Sequence, residues 1–146
     1  MKKTTTKPVG LTKDNTFQVG ARRTFPVPYH DAWKLIISER GWQTWLGAAP
    51  DLSFVKGKTY QLPDGTVGKI TVLKPQSHIR LTWQPTDWPT ASIMQIRVIP
   101  GGQKTVIALH QEKLPDADAR KIRHQHFLKI LDNLDHLMKT ITTEDE

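Results

Sequence analysis

The chain has no cysteine in its 146 residues. That excludes disulfides, thiolate nucleophiles and every zinc site built on sulfur. It also lacks any stretch near the ~18 consecutive apolar residues of a membrane helix, so no membrane span is expected. The Lys-rich start, Met1 to Pro8, has no apolar segment behind it and does not read as a secretory leader. With the missing cysteines, this suits a cytoplasmic protein.

The motifs of common chemistries are missing as well. There is no phosphate-binding glycine loop and no nucleophile elbow. Ser38, Ser53, Ser77 and Ser92 have no neighbours that would activate them. His124 and His126 form an H-x-H pair, but on a helix they point about 200° apart and cannot close on one ion. His30-Asp31 and His110-x-Glu112 lack a partner set. No metal, no cofactor and no catalytic residue is therefore assigned. A nucleic-acid surface would interleave basic residues with exposed aromatics, and here the aromatics fall mostly at inward positions, so no nucleic-acid partner is expected.

What the chain does have is a core's worth of patterned apolar residues and a net charge of +7. The charge sits on the body. Residues 1–14, expected to be a flexible basic tail, hold four Lys and one Asp, and the acidic tail, 142–146, ends in three acids. A domain is expected over 15–141, a size that supports a single core. A basic body allows either a solvated surface or an anionic partner.

Phe17, Val19 and Ala21 alternate with polar residues, so 16–25 reads as a half-buried strand. After Pro26 and Pro28, the residues Tyr29, Ala32, Trp33, Ile36 and Ile37 recur at helical spacing. Gly41 is expected to end that helix, and Trp42 to Gly47 to form a second, short one. Strands follow at 58–62, 66–73, 78–84, 91–99 and 104–113, separated by turn signals such as Pro63-Asp64-Gly65 and Pro100-Gly101-Gly102. Turns this short predict antiparallel neighbours.

The last element is a long helix over 116–140, capped by Asp116, with acid in its first turn at Asp118. Phe127, Ile130, Leu131, Leu134, Leu137, Met138 and Ile141 make an apolar stripe that must cover the sheet. The expected core is Phe17, Val19, Trp33, Ile36, Ile70, Leu81, Ile96, Leu109, Ile130, Leu131 and Leu134. Upstream of Phe127 the stripe turns basic, at Arg123, His124 and Arg120. Of the five tryptophans, Trp33 and Trp45 lie on apolar helix faces, and Trp83 shares a face with Ile79 and Leu81.

In this order the elements resemble the activator of Hsp-90 ATPase homologue-like branch of the START-like (SRPBCC) superfamily. The resemblance rests on Pro28 through Trp33, Trp45-Leu46-Gly47, Gly57-Lys58-Thr59-Tyr60, Gly68 through Pro75, Leu81-Thr82-Trp83, Gly102-Gln103-Lys104-Thr105 and Leu114-Pro115-Asp116. It implies an α+β helix-grip fold, a curved antiparallel sheet of six to seven strands wrapped around the C-terminal helix. This chain has Gln111 where that branch often has His, and Phe127 where it often has Trp. Eukaryotic members that stimulate the chaperone carry an additional N-terminal domain, and none is expected in this chain.

The expected function is binding of a small apolar or amphipathic, possibly anionic, ligand in a cavity between sheet and final helix. Its walls would come from Trp45, Trp83, Met94, Gln111 and Phe127, with Arg120 and Arg123 toward one end. The resemblance also admits a chaperone-directed or other protein-interaction module, or a cyclase- or hydrolase-type enzyme. Fold alone does not choose among these.

Overall fold

The computed structural model describes residues 9–49 and 52–144, the last four of these as backbone only. Nine elements run in order: β1 (Phe17–Phe25), α1 (Tyr29–Ile37), α2 (Glu39–Trp45), β2 (Thr59–Gln61), β3 (Val67–Lys74), β4 (His78–Trp83), β5 (Ser92–Gly101), β6 (Lys104–Leu114) and α3 (Ala117–Glu144). The six strands form one antiparallel sheet in the order β1-β6-β5-β4-β3-β2. The chain is therefore a meander from β2 to β6, with β1 added at the β6 edge. This is the helix-grip α+β fold expected.

Alternation decides which face is buried. In β5 the residues Ser92, Met94, Ile96 and Val98 point inward, and in β6 Thr105, Ile107, Leu109 and Gln111 do the same. α3 lies across β1 and β6, and α1 packs on β5 and β6. Phe127, Leu131, Leu134 and Met138 are buried, and Ile130 and Leu137 are partly so. Burial of each large side chain contributes roughly 1.5–3 kcal/mol. Of the expected core, only Phe17 and Ile130 are half-buried rather than buried. The side chain of Ile141 lies outside the described residues.

Local signals set the ends of the elements. Asp116 Oδ1 accepts from the Ala119 amide at 2.7 Å, the expected cap of α3. Asp64 Oδ1 accepts from the Thr66 amide at 2.9 Å and closes the β2–β3 turn.

One boundary differs from expectation. Gly41 does not end α1; it lies inside α2. The break is at Ser38, whose extended backbone separates the helices while its Oγ accepts from the Gly41 amide at 3.1 Å. Glycine is needed at 41 because a Cβ there would collide with the Leu35 carbonyl.

Residues 1–8 and 145–146 of the two expected tails lie outside the described residues. Within the rest of the N-terminal segment, Leu11 bridges to Phe17 and the Gly10 carbonyl accepts from the Gln18 amide at 2.7 Å. At the other end α3 continues past the expected 140 to Glu144. Among the described residues no helix is long and apolar enough to cross a membrane.

Candidate functional site

The inward face of the sheet is largely apolar, with Thr105 at one end of β6 and a pair of polar residues near the start of α3. That pair, Ser92 and Gln111, points inward and is fully buried. They need internal partners, because a buried polar group without one costs roughly 1–3 kcal/mol. Ser92 Oγ donates to the Trp83 carbonyl at 2.6 Å, and Gln111 Nε2 donates to Ser92 Oγ at 2.8 Å. The remaining acceptor, Gln111 Oε1, takes a hydrogen bond from Arg123 Nε at 2.8 Å.

Arg123 is only 7% exposed. Its guanidinium carbon lies 4.1 Å from the Trp83 ring centre and 5.1 Å from that of Phe127. Nη1 donates to His126 Nδ1 at 3.1 Å, and Nη2 approaches the Met94 sulfur at 3.8 Å. Among the described residues none of the ion pairs involves Arg123. A buried cation is thus held by an amide oxygen, an imidazole nitrogen, a thioether and two aromatic faces, all neutral. The rings offset part of the desolvation, at roughly 2 kcal/mol for a desolvated contact. Burial lowers the guanidinium pKa from its ordinary value to about 10, so it stays charged at neutral pH.

Tyr60 closes the cluster from β2. Its hydroxyl donates to the Thr82 carbonyl at 2.5 Å, and burial pushes its phenol pKa well up. On the outer side, a groove of about 220 Å³ runs between α2 and α3 and meets Trp45, Arg123, His126, Lys129 and Asn133. Trp45 is fixed there because its indole N–H donates to the Ile36 carbonyl at 2.7 Å.

Six of the seven residues expected at the site therefore come together: Trp83, Met94, Gln111, Arg123 and Phe127 in one cluster, and Trp45 in the groove beside Arg123. Arg120 does not join them; its Nε donates to the Gln18 carbonyl at 2.9 Å, over β1. Within the cluster, the Arg123 side chain itself fills the space against Trp83 and Phe127. Ser92, His126 and Tyr60 were not expected at the site. Ser92 had a sequence signal, a small polar residue at an inward strand position.

Chemically, the arrangement is one buried, charged guanidinium among neutral partners. The Ser92 hydroxyl is committed to a carbonyl, and among the described residues its other partner is the Gln111 amide, not a base. Among the described residues, no group of three or more His, Asp or Glu side chains is placed to hold a metal.

The family model described as "Activator of Hsp90 ATPase homolog 1-like protein" matches residues 26–139. No curated protein matches the chain by sequence. Solved structures share the fold at low identity. CalU16 from Micromonospora echinospora matches with a TM-score of 0.74 and 16% identity, over 88% of this chain and 78% of its own. DynU16, a protein of the dynemicin biosynthetic locus, matches with a TM-score of 0.72 and 14% identity, over 84% of this chain; this chain spans 47% of that one. PFC0360w, an HSP90 activator from Plasmodium falciparum, matches with a TM-score of 0.68 and 14% identity, over 84% of this chain and 96% of its own.

Proposed function

Because this chain belongs to the family of activator of Hsp90 ATPase homolog 1-like proteins, a START-like branch, we propose that it binds a small amphipathic ligand with an anionic head at Arg123. The observation that supports this most is a guanidinium 7% exposed that has only neutral partners. A carboxylate or phosphate entering by the α2–α3 groove supplies the missing counter-charge through charge-assisted hydrogen bonds. The apolar tail lies against Trp83, Met94 and Phe127, gaining about 25 cal/mol per Å² buried. Arg123 then acts as a plug in the free protein and as the head-group ligand in the complex.

The test is a matched pair of ligands, dodecanoate and dodecanol, titrated calorimetrically into wild type and Arg123→Ala. Dodecanoate affinity is expected to fall at least tenfold in the variant, with dodecanol affinity changed far less. Equal weakening of both would reduce Arg123 to a support of the fold.

A second reading, docking on a chaperone, is favoured by the family's description and by the similarity to PFC0360w over nearly all of that protein. Stimulation of an Hsp90 ATPase by the purified chain, undiminished in Arg123→Ala, would move that reading ahead.

A further inference from the structure

Arg123 can only donate hydrogen bonds. His126 Nδ1, 3.1 Å from Arg123 Nη1, is therefore the acceptor and carries no proton in the structure described. This fixes the neutral state of an imidazole that opens onto the same groove as Arg123 and Lys129.

We propose that the α2–α3 groove is an anion subsite that takes up a proton on binding, with His126 as the group that receives it. The inference rests on the reading of Arg123 as head-group ligand and adds how that site answers to pH. When an acidic head engages the guanidinium, Nη1 turns from His126 to the ligand. The Nδ1 lone pair is released, and the imidazole can accept a proton and donate to the same anion. Atoms and charge balance: one proton leaves solvent, and one anion then faces Arg123, Lys129 and an imidazolium.

The charged surroundings agree with this. Burial, then Arg123, then Lys129 hold the His126 pKa below 6.5 in the free protein. Both cations come from α3 itself. The opposite wall, from α2, presents Gln43 and Thr44, neither titratable, and from β2 the Tyr60 phenol faces Arg123 rather than His126. Among the described residues nothing acidic offsets the two cations at His126, so an anion is the element whose arrival reverses the bias against protonation.

The sign of the pH dependence follows. The bound-state pKa of His126 lies above the free-state pKa, so affinity is greatest below the free-state value and declines as pH rises through the bound-state value. A rise of about one pKa unit makes that decline about tenfold.

The probe is decane-1-sulfonate, whose own charge does not change between pH 5 and 8. Its affinity is measured across that range for wild type and for His126→Asn, whose side-chain oxygen can still accept from Arg123 but cannot take a proton. Wild type is expected to bind about tenfold more weakly at pH 8 than at pH 5, with His126→Asn flat. Parallel pH profiles in the two proteins overturn the proposal.

A second arm follows the His126 ring nitrogens by NMR with and without inorganic sulfate. An upward shift of the His126 titration on adding sulfate supports the subsite even if decane-1-sulfonate fails to bind, in which case only the amphipathic-ligand reading fails. An unmoved titration together with no sulfonate binding overturns the subsite.

Discussion

Arg123 Nε donates to Gln111 Oε1 at 2.8 Å, a hydrogen bond between two buried side chains that joins the final helix to the sixth strand. Removing Gln111 takes away the acceptor of Arg123 Nε, and removing Arg123 takes away the donor to Gln111 Oε1. Gln111→Leu is expected to cost roughly 2–3 kcal/mol, because a buried charged donor loses its acceptor. In an Arg123→Met background the same change should cost far less, since no charge then needs the amide oxygen. A double-mutant cycle by urea denaturation should give a coupling above about 1 kcal/mol. Additivity within about 0.5 kcal/mol would mean that the two side chains act independently.

A second relationship makes stability depend on acid. Asp135 Oδ2 lies 2.9 Å from Lys139 Nζ and 3.1 Å from Arg23 Nη2, which ties α3 to β1. The hydrogen bond with Lys139, then the charges of Arg23, Lys139 and His136, hold the Asp135 pKa below its ordinary value against the opposing effect of burial. A carboxylate with a depressed folded-state pKa stabilises above its unfolded value, and that contribution is lost as pH falls through the folded value. Asp135→Asn should therefore cost stability at pH 7 and almost nothing at pH 2. The difference at pH 7 should be only about 1 kcal/mol, because Lys139 is largely and Arg23 partly exposed, so both are screened. Urea midpoints of the two proteins at both pH values provide the check.

The apolar stripe of α3 gives a graded prediction. Leu134 is fully buried, whereas Ile130 is only partly covered. Leu134→Ala should cost about 2–5 kcal/mol through lost burial and the cavity left behind. Ile130→Ala should cost clearly less. Comparable losses at the two positions, measured by chemical denaturation, would contradict the orientation of the helix on the sheet.

The sheet was legible in the sequence because it is covered on one face only. Alternation in β5 and β6 marks which residues point inward, and short turns make consecutive strands neighbours. The α1–α2 boundary was misassigned because glycine usually signals a break, while Gly41 is there for contact with Leu35, which local pattern does not reveal. Ser38, which carries the cap, looked unremarkable. The cluster around Arg123 was mostly legible: Gln111 is a polar residue at an inward strand position, and Arg123 heads an apolar helical stripe. Arg120 went elsewhere because the start of α3 rests against β1, putting Arg120 within reach of the Gln18 carbonyl. The Arg123–His126 bond had the spacing of helical neighbours, yet the direction of an arginine side chain depends on which rings and acceptors the sheet offers it.

A tight steric constraint near the site is at Gly68. It lies directly opposite Tyr60 in the β2–β3 pair, and the Tyr60 ring crosses it so that its hydroxyl reaches the Thr82 carbonyl on β4 at 2.5 Å. A Cβ at residue 68 would run into both the Thr82 carbonyl oxygen and the Tyr60 ring. The carbonyl belongs to the sheet backbone and cannot move aside without breaking the ladder. Gly68→Ala should therefore cost several kcal/mol, at or above the ~1–3 kcal/mol typical of overpacking. Tyr60→Phe, which removes only the hydroxyl bond, should cost about 1 kcal/mol. The two variants combined should recover little of the Gly68→Ala loss, because the backbone clash remains after the hydroxyl is gone. Thermal or urea unfolding of the three variants checks this, and full recovery in the double variant would show that the hydroxyl, not the backbone, sets the limit.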